Sequence, residues 1–188
     1  MGKHNGKLTI KDTGKYGKGV FAAKEIKKGE VIHIFDGRKL DVTDVVKRIN
    51  SGKESIDDPL QIGRRTYIDL DDFSRLFNHS CDPNAGVRKT SELFALRDVK
   101  KEEQISFDYS STIAPTAWKM KCKCGLDNCR GVVGDILSLP KKRREEYRKL
   151  GALQRYMRSL LKEIDGGSYK IPKYEVLALE KLNSNRNA

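Results

Sequence analysis

The stretch Arg75–Asn84, with the sequence RLFNHSCDPN, is the part of the chain that gives the most information about its fold. In it the apolar pair Leu76-Phe77 is followed at once by Asn78-His79, Cys81 and Asp82-Pro83-Asn84. The last three residues favour a turn, because Pro restricts φ and because Asp and Asn hydrogen-bond to their own backbone. A strand that carries polar groups and runs directly into such a turn is poorly suited to a core. We therefore interpret this stretch as part of a functional site.

The length of 188 residues predicts one domain with an appendage. A chain of this length can bury about 70% of its unfolded surface, which is enough for a real core. Its content of 37% hydrophobic and 34% charged residues, with a mean hydropathy of −0.64, is typical of a soluble globular protein. No apolar run approaches the roughly 18 residues of a membrane span, and the N-terminus lacks the apolar segment of a signal peptide. The sequence thus predicts a reducing compartment and no membrane association.

The net charge of +12 is unevenly distributed along the chain. Residues 1–50 carry +6, residues 51–112 carry −3 and residues 113–188 carry +9. One interpretation is a solvated basic surface without a partner. The other is that the basic C-terminal part contacts nucleic acid while the acidic middle accepts a basic peptide.

The hydrophobic pattern predicts many short strands and one small helix in residues 7–112, which is typical of an irregular β-rich fold. The helix is expected at Asp41–Asn50. After Gly134 the apolar residues recur at three- and four-residue spacing and predict a helix or helix pair. This part begins at Leu139-Pro140, has Gly151 as a candidate joint and ends at 165–167. A weaker helical segment is expected from Pro172 to about Leu182.

Three of the four cysteines lie within eight residues, in the pattern Cys122-x-Cys124-x4-Cys129. In a reducing compartment such a cluster favours a metal site over disulfides. A structural zinc site requires four ligands, and the remaining cysteine is Cys81. If Cys81 completes the site, the metal joins the cysteine-rich segment to the Asn78-His79 strand. The alternative is a set of buried free thiols.

Two further stretches are weak signals by themselves. Gly17-Lys18-Gly19 allows the backbone to approach a ligand closely, but a plain turn explains it equally well. In 103–109 the side chains of Ile105, Phe107 and Tyr109 are expected on one face of a strand and those of Ser106 and Asp108 on the other. Such a strand commonly belongs to a core.

In their order and spacing, however, these stretches resemble the motifs of SET-domain protein lysine methyltransferases through residues 8–133. The resemblance is carried by GKGVFA at 17–22, HIFDGR at 33–38, TYIDL at 66–70, SRLFNHSCDPN at 74–84, EQISFDY at 103–109 and CKCGLDNCRG at 122–131. The last resembles the post-SET zinc segment, in which the fourth ligand is the cysteine that corresponds to Cys81. The compact form, without a pre-SET cysteine array, is similar to prokaryotic or viral members.

The resemblance implies a mainly β fold with short helices, namely the SET (β-clip) fold of small sheets with a threaded pseudoknot, plus a C-terminal helical extension. It implies a SET catalytic core at 1–112, a post-SET zinc segment at 113–134, the helical extension at 135–183 and a flexible tail at 184–188. The implied cofactors are S-adenosylmethionine and zinc, with the metal bound by four cysteines: Cys81, Cys122, Cys124 and Cys129.

The implied reaction is transfer of a methyl group from S-adenosylmethionine to a lysine ε-amine. The backbone at Lys18 and Gly19, the side chain of Asn78 and the backbone of His79 would hold the cofactor. Tyr109 would be the catalytic tyrosine, with its hydroxyl orienting the amine and favouring the sulfonium electrostatically.

Other residues are expected around the cofactor and the lysine channel. Trp118 would either pack against the adenine or serve in plain packing. Phe35, Tyr67 and Phe107 would line the channel, and Phe rather than Tyr at 107 implies di- or trimethylation. The sequence departs from the family at Phe35, which replaces a frequent Tyr, and at Arg38, which replaces a Glu. Leu60-Gln61-Ile62 stands where many histone-directed members carry an aromatic.

The expected substrate is a basic protein, such as a histone-like or ribosomal protein. In the family the region of residues 57–72 lines the peptide groove, and here it contains five acidic residues: Asp57, Asp58, Asp69, Asp71 and Asp72. The run at 141–144, KKRR, can be read as a nucleic-acid contact, a nuclear-import signal or a solvated face.

Two alternatives to an active enzyme remain at this stage. One is an inactive SET fold that serves as a chromatin or nucleic-acid adaptor, and the other is a zinc-ribbon nucleic-acid binder. The expected location is the cytoplasm, in association with the nucleoid, for a prokaryotic protein and the nucleus for a eukaryotic or viral one.

Overall fold

The computed structural model describes residues 6–14, 17–52, 59–115 and 118–170. The strands are β1 (Leu8–Asp12), β2 (Lys18–Ala22), β3 (Val31–Ile34), β4 (Gly37–Asp41), β5 (Leu60–Gln61), β6 (Thr66–Leu70), β7 (Asn78–His79), β8 (Ala85–Arg88), β9 (Glu92–Ala95), β10 (Ser106–Phe107), β11 (Met120–Lys121) and β12 (Val132–Val133). The helices are α1 (Val42–Asn50), α2 (Lys141–Lys149) and α3 (Arg155–Asp165), with 3₁₀ turns at Ser74–Leu76, Tyr109–Ser111 and Ile136–Ser138.

The strands form small sheets rather than one large one. Two three-stranded antiparallel sheets have the orders β3-β9-β8 and β4-β6-β5, and β1-β2 and β11-β12 are antiparallel pairs. The remaining pair, β7 with β10, is parallel. The predicted class, mainly β with small sheets and short helices, is therefore confirmed.

The main core lies among the first sheets. Its fully or almost fully buried side chains include those of Val20, Phe35, Phe77, Leu93 and Ile105. Because every residue of β9 is buried, this strand is covered on both faces. Phe94 of β9 belongs to a second core, which is built mostly by the C-terminal helices.

The two C-terminal helices confirm the predicted helix pair. Gly151, with φ of +70°, lies between them, and Gly167, with φ of +72°, follows the end of α3. These left-handed conformations favour glycine because it lacks a Cβ. Met157 and Leu160 of α3 are buried in the second core together with Phe94. The helices thus pack onto the β-rich part of the chain, with its strand β9 covered by their apolar faces.

Several elements differ from the sequence expectations. α1 is confirmed, whereas β4, β8 and the β11-β12 hairpin were not predicted. The strand expected to run through Tyr109 ends at Phe107, and Asp108 begins a 3₁₀ turn by accepting a hydrogen bond from the Ser110 N–H. The expectation that Asp108 shares a strand face with Ser106 was therefore wrong, because the capped turn ends the alternation.

Two expectations cannot be compared with the fold. The helical segment at 172–182 and the tail at 184–188 lie outside the described residues. The proposed domain limits stay a prediction. Among the described residues, no helix has both the length and the apolar character needed to cross a membrane.

Candidate functional site

Parallel pairing of β7 with β10 brings two of the sequence motifs together. Asn78 is opposite Ser106, and His79 is opposite Phe107. The Ser80 N–H extends the pairing by donating to the Phe107 carbonyl over 3.2 Å. The polar residues of the 74–84 stretch therefore lie beside the segment that leads into Tyr109.

A close approach of Lys18, Gly19 and Asn78, here called the Gly19 cradle, lies next to this pair of strands. The Asn78 amide Nδ2 donates a hydrogen bond to the Lys18 carbonyl oxygen over 3.1 Å. A Cβ at Gly19 would lie 2.9 Å from Asn78 Nδ2 and 2.6 Å from Gln104 Nε2. Since real Cβ contacts are not this short, glycine at 19 permits an approach that a larger residue would obstruct. The structure thus brings together Lys18, Gly19 and Asn78, and their role in binding the cofactor stays a prediction.

His79 is buried between the cradle and the cysteines. The Tyr109 N–H donates to His79 Nδ1 over 3.3 Å, while Nε2 lies 3.4 Å from the Cys81 sulfur. Because Nδ1 accepts, we assign the proton of the neutral ring to Nε2, which can then donate to the sulfur. Burial lowers the pKa of His79 to about 4, although the Asp108 carboxylate opposes this shift. The ring is therefore neutral at pH 7.

Tyr109 is half-buried at the end of this segment. Its hydroxyl donates a hydrogen bond to the Phe77 carbonyl over 2.8 Å. Its ring centroid lies 4.8 Å from that of Phe107 and 5.4 Å from that of His79. These contacts hold the phenol in one orientation beside the strand pair that carries Asn78.

The residues predicted to line a channel are only partly together. Phe35 packs between Phe77 and Phe107, with ring centroids 5.6 and 5.8 Å away, and it is 1% exposed. Phe107 contacts Tyr109 on its other side, so these rings form a continuous apolar wall. Tyr67 lies on β6, opposite Leu40 of β4, and is half-buried.

The four cysteines converge on one point. Their sulfur atoms all lie within 4.8 Å of one another, and those of Cys81 and Cys122 are 3.7 Å apart. A tetrahedral site with Zn–S bonds of about 2.3 Å requires S···S distances of about 3.8 Å. Backbone N–H groups point at three of the sulfurs, from Cys124 to Cys122, from Arg130 to Cys81 and from Gly131 to Cys129. The donor set therefore fits a structural zinc ion.

Without a cation, the surroundings disfavour ionisation of two of the four thiols. Burial raises the pKa of Cys81 and of Cys122, so that neither thiol ionises readily by itself. Burial also raises that of Cys124, but backbone hydrogen bonds, first from Leu126, outweigh it and lower the pKa to about 7. A bound cation would compensate the charge of four thiolates in this buried place.

Trp118 belongs to the same small core. It is 7% exposed and packs in a cluster with Cys81, Cys122 and Val133. The structure therefore gives this indole a packing role beside the cysteines. The predicted contact with an adenine stays a prediction.

Comparison with known proteins identifies the family. The family model described as SET domain matches residues 17–110, which is half of the chain. The chain belongs to the SET-domain family. The match includes the Gly19 cradle, Asn78, His79 and Tyr109, and it argues against the zinc-ribbon alternative.

Two curated relatives illustrate the range of SET proteins that are similar to this one. The variant-silencing SET domain-containing protein of Plasmodium falciparum is 33% identical over 65% of this chain and 5% of its own length. The histone-lysine N-methyltransferase ASHH3 of Arabidopsis thaliana is 30% identical over 74% of this chain and 41% of its own. The chain thus spans only a part of these relatives.

Two solved structures share the SET fold. The methyltransferase domain of the human histone-lysine N-methyltransferase SETMAR has a TM-score of 0.54 and 25% identity, over 68% of this chain and 58% of that one. KRYPTONITE, solved in complex with mCHH DNA, an H3(1-15) peptide and SAH, has a TM-score of 0.53 and 23% identity, over 68% and 29% of the two chains. The latter supports the fold alone.

A buried ionic cluster, which sequence reasoning missed, connects the SET match to the chain that follows it. The Asp108 carboxylate is 2% exposed and accepts hydrogen bonds from Arg130 Nη2 over 2.7 Å and from the Tyr147 hydroxyl over 2.9 Å. Arg130 also donates its backbone N–H to the Cys81 sulfur. The position of Arg130 directly after Cys129 was a signal in the sequence that it lies near the cysteines. For Tyr147 the sequence indicated only a position on the apolar face of a helix.

The acidic residues of the 57–72 region are less available to a basic peptide than the sequence suggested. Asp69 forms salt bridges with Arg48 at 3.0 Å and Arg75 at 2.8 Å. Asp71 accepts a hydrogen bond from the Ser74 N–H and stabilises its own turn. Asp57 and Asp58 lie outside the described residues.

Proposed function

We propose that this SET-domain chain transfers a methyl group from S-adenosylmethionine to a lysine ε-amine of a basic protein. The observation that carries the proposal is the Tyr109 phenol, oriented by the Phe77 carbonyl beside the strand pair that holds Asn78. Similarity to proteins named histone-lysine N-methyltransferases supports it. Since the chain spans only part of those relatives, the activity is inferred for the domain itself.

The proposed roles follow from what each group can donate or exclude. The cofactor supplies an electrophilic methyl group on a positively charged sulfur. The Gly19 cradle and the Asn78 amide would bind it, and the wall of Phe35, Phe107 and Tyr109 would exclude water from the lysine. When bound, S-adenosylmethionine would supply its methyl group to the neutral amine nitrogen, and its sulfur would keep the electron pair of the broken sulfur–carbon bond. Positioning supplies much of the rate in such a displacement.

The amine must be neutral before it attacks. Free lysine has a pKa of about 10.4, so most of it is protonated at pH 7. Burial against apolar rings lowers a lysine pKa because it penalises the charged form. The wall of Phe35 and Phe107 would act in this way, and the Tyr109 hydroxyl would orient the nitrogen.

Zinc would have a structural role in this proposal. The closed set of four cysteines leaves no ligand position for a substrate. The ion would hold the 122–131 segment against Cys81. Because Cys81 contacts His79, and His79 accepts a hydrogen bond from the Tyr109 N–H, this would also help to fix His79 and Tyr109 in place. The Trp118 indole, which packs in a cluster with Cys81 and Cys122, would help to hold this segment in place.

The proposed substrate is a histone-like or ribosomal protein. The names of the curated relatives support the histone class, and with it the nuclear alternative for localisation. Phe107 carries no hydroxyl that could hold a water beside the amine, so we propose di- or trimethylation.

The test is incubation with labelled S-adenosylmethionine and a panel of histones and basic ribosomal proteins, followed by mass spectrometry of the product. We expect methylated lysine with the native chain and at least a hundredfold less with Tyr109→Phe. Tyr169→Phe is the matched control, because it removes a phenol hydroxyl in the second core. Cofactor binding without transfer to any protein would instead support the adaptor alternative. Product that stops at monomethyl-lysine would contradict the proposed degree.

A further inference from the structure

A cleft between α2 and α3 lies outside the SET match and has no part in the proposed transfer. Its volume is about 490 Å³. The side chains that line it include six cationic residues: Lys141, Arg144, Arg148, Arg155, Arg158 and Lys162. Among the described residues, two acidic ones, Glu145 and Asp165, line it as well. The cleft therefore carries an excess of positive charge.

The cations form two matching stripes. On α2 they lie at 141, 144 and 148, and on α3 they lie at 155, 158 and 162. Both sets have the spacing i, i+3, i+7, which keeps side chains on one face of a helix. Because both stripes line the same cleft, the two helices present their cationic faces to a shared space.

Within the part of the chain that the structure describes, carboxylates do not compensate most of this charge. Arg148 forms a salt bridge with Glu145. Across residues 6–14, 17–52, 59–115 and 118–170, no carboxylate forms a salt bridge with the other five cations. The Arg144 Nε atom is buried and, among the described residues, has no hydrogen-bond partner. The Arg144 guanidinium therefore adds to the uncompensated charge of the cleft.

We propose that this cleft binds the phosphodiester backbone of a nucleic acid. Seven residues of helix span about 10 Å, and one DNA strand carries a phosphate for about every 3.4 Å of axis. Each stripe thus matches roughly three phosphates. Four of the six cations are arginine, whose planar guanidinium donates two hydrogen bonds to one phosphate.

An acidic peptide is the less suitable occupant. Peptides that dock between helices usually insert apolar anchors. Here the apolar side chain lining the cleft, Leu161, is only 7% exposed and belongs to the second core. The regular spacing of the charge favours a phosphate backbone, which is recognised by charge and not by sequence.

The test compares two charge-matched variants of the full chain. The first is Arg144→Gln/Arg155→Gln/Arg158→Gln/Lys162→Gln in the cleft. The second is Lys24→Gln/Lys28→Gln/Lys100→Gln/Lys101→Gln, which removes four exposed lysines elsewhere. Binding of a fluorescent 20-base-pair DNA duplex is measured by anisotropy at several salt concentrations. Thermal unfolding and zinc content of both variants establish that they are folded.

We expect the cleft variant to lose at least tenfold in affinity and the control less than threefold. The slope of log affinity against log salt should fall by about 2 to 4 in the cleft variant, at about 0.9 per phosphate contact. Equal losses in the two variants would show that only net charge matters and would overturn the proposal. An acidic peptide, such as oligoglutamate, that binds the cleft more tightly than the duplex would also overturn it.

Discussion

The Tyr147 hydroxyl donates a hydrogen bond of 2.9 Å to the Asp108 carboxylate, and the next residue in the chain is Tyr109. Burial, together with the neighbouring carboxylate, raises the pKa of Tyr147, so its phenol stays protonated and remains a donor. A helix beyond the SET match is thus bonded to the residue that precedes the candidate catalytic tyrosine. This relationship makes α2 part of the support of the site.

Removal of this hydroxyl should therefore reduce stability. A hydrogen bond to a buried charged group contributes about 1.5–3 kcal/mol. We expect Tyr147→Phe to lower the free energy of unfolding by about 2 kcal/mol in urea denaturation. Tyr169→Phe, which changes a half-buried phenol of the second core, serves as the control. A loss in Tyr147→Phe that is no larger than in the control would contradict this role.

Arg130 should matter more than Tyr147, because it supplies the charge that compensates Asp108. Removing one partner of a buried ion pair costs about 3–5 kcal/mol of stability, because the other charge is left uncompensated. We expect Arg130→Met to destabilise the chain by about 3 kcal/mol while zinc content is retained, since the bond to Cys81 comes from the backbone N–H. The double variant Asp108→Asn/Arg130→Met should recover part of the loss. If it is less stable than the single variant, the charge argument is wrong.

Metal content tests the convergence of the cysteines directly. We expect about one zinc per chain by atomic emission, and a fall in the unfolding temperature when a strong chelator removes it. Cys81→Ser should lose zinc to the same extent as Cys122→Ser, although Cys81 lies 41 residues away in sequence. Ser80→Ala, next to the ligand, is the control. Full zinc occupancy in Cys81→Ser would exclude this cysteine from the site.

The glycine cradle predicts a binding defect with little loss of stability. In Gly19→Ala the new Cβ would displace the amides of Asn78 and Gln104, whose side-chain ends can move. We expect the dissociation constant for S-adenosylmethionine to rise at least tenfold in calorimetry. Gly63→Ala is a suitable control, because its nearest neighbour would be 3.4 Å away. Unchanged cofactor affinity in Gly19→Ala would count against the proposed role of the cradle.

Local patterns in the sequence were sufficient for much of the fold. The apolar spacing at 42–50 and at 141–164 predicted α1 and the helix pair, and Gly151 marked the joint because a left-handed turn favours glycine. Short alternating segments predicted most strands. The end of β10 at Phe107 was not predicted. The hydrogen bond from the Ser110 N–H to the Asp108 side chain ends the strand, and it depends on a side-chain orientation that the alternation of residue types does not encode.

The residue types of the candidate site were visible in the chain, but its connections were not. By itself the sequence determined the order of the motifs, the family resemblance and the supply of four thiols. Only the tertiary structure decided that Asp108 is buried between Arg130 and Tyr147, and that two cationic stripes face one cleft. The physical reason is that hydrogen bonds and electrostatic fields act through space. Residues far apart in the chain interact only once packing of the apolar faces has brought them within a few ångströms.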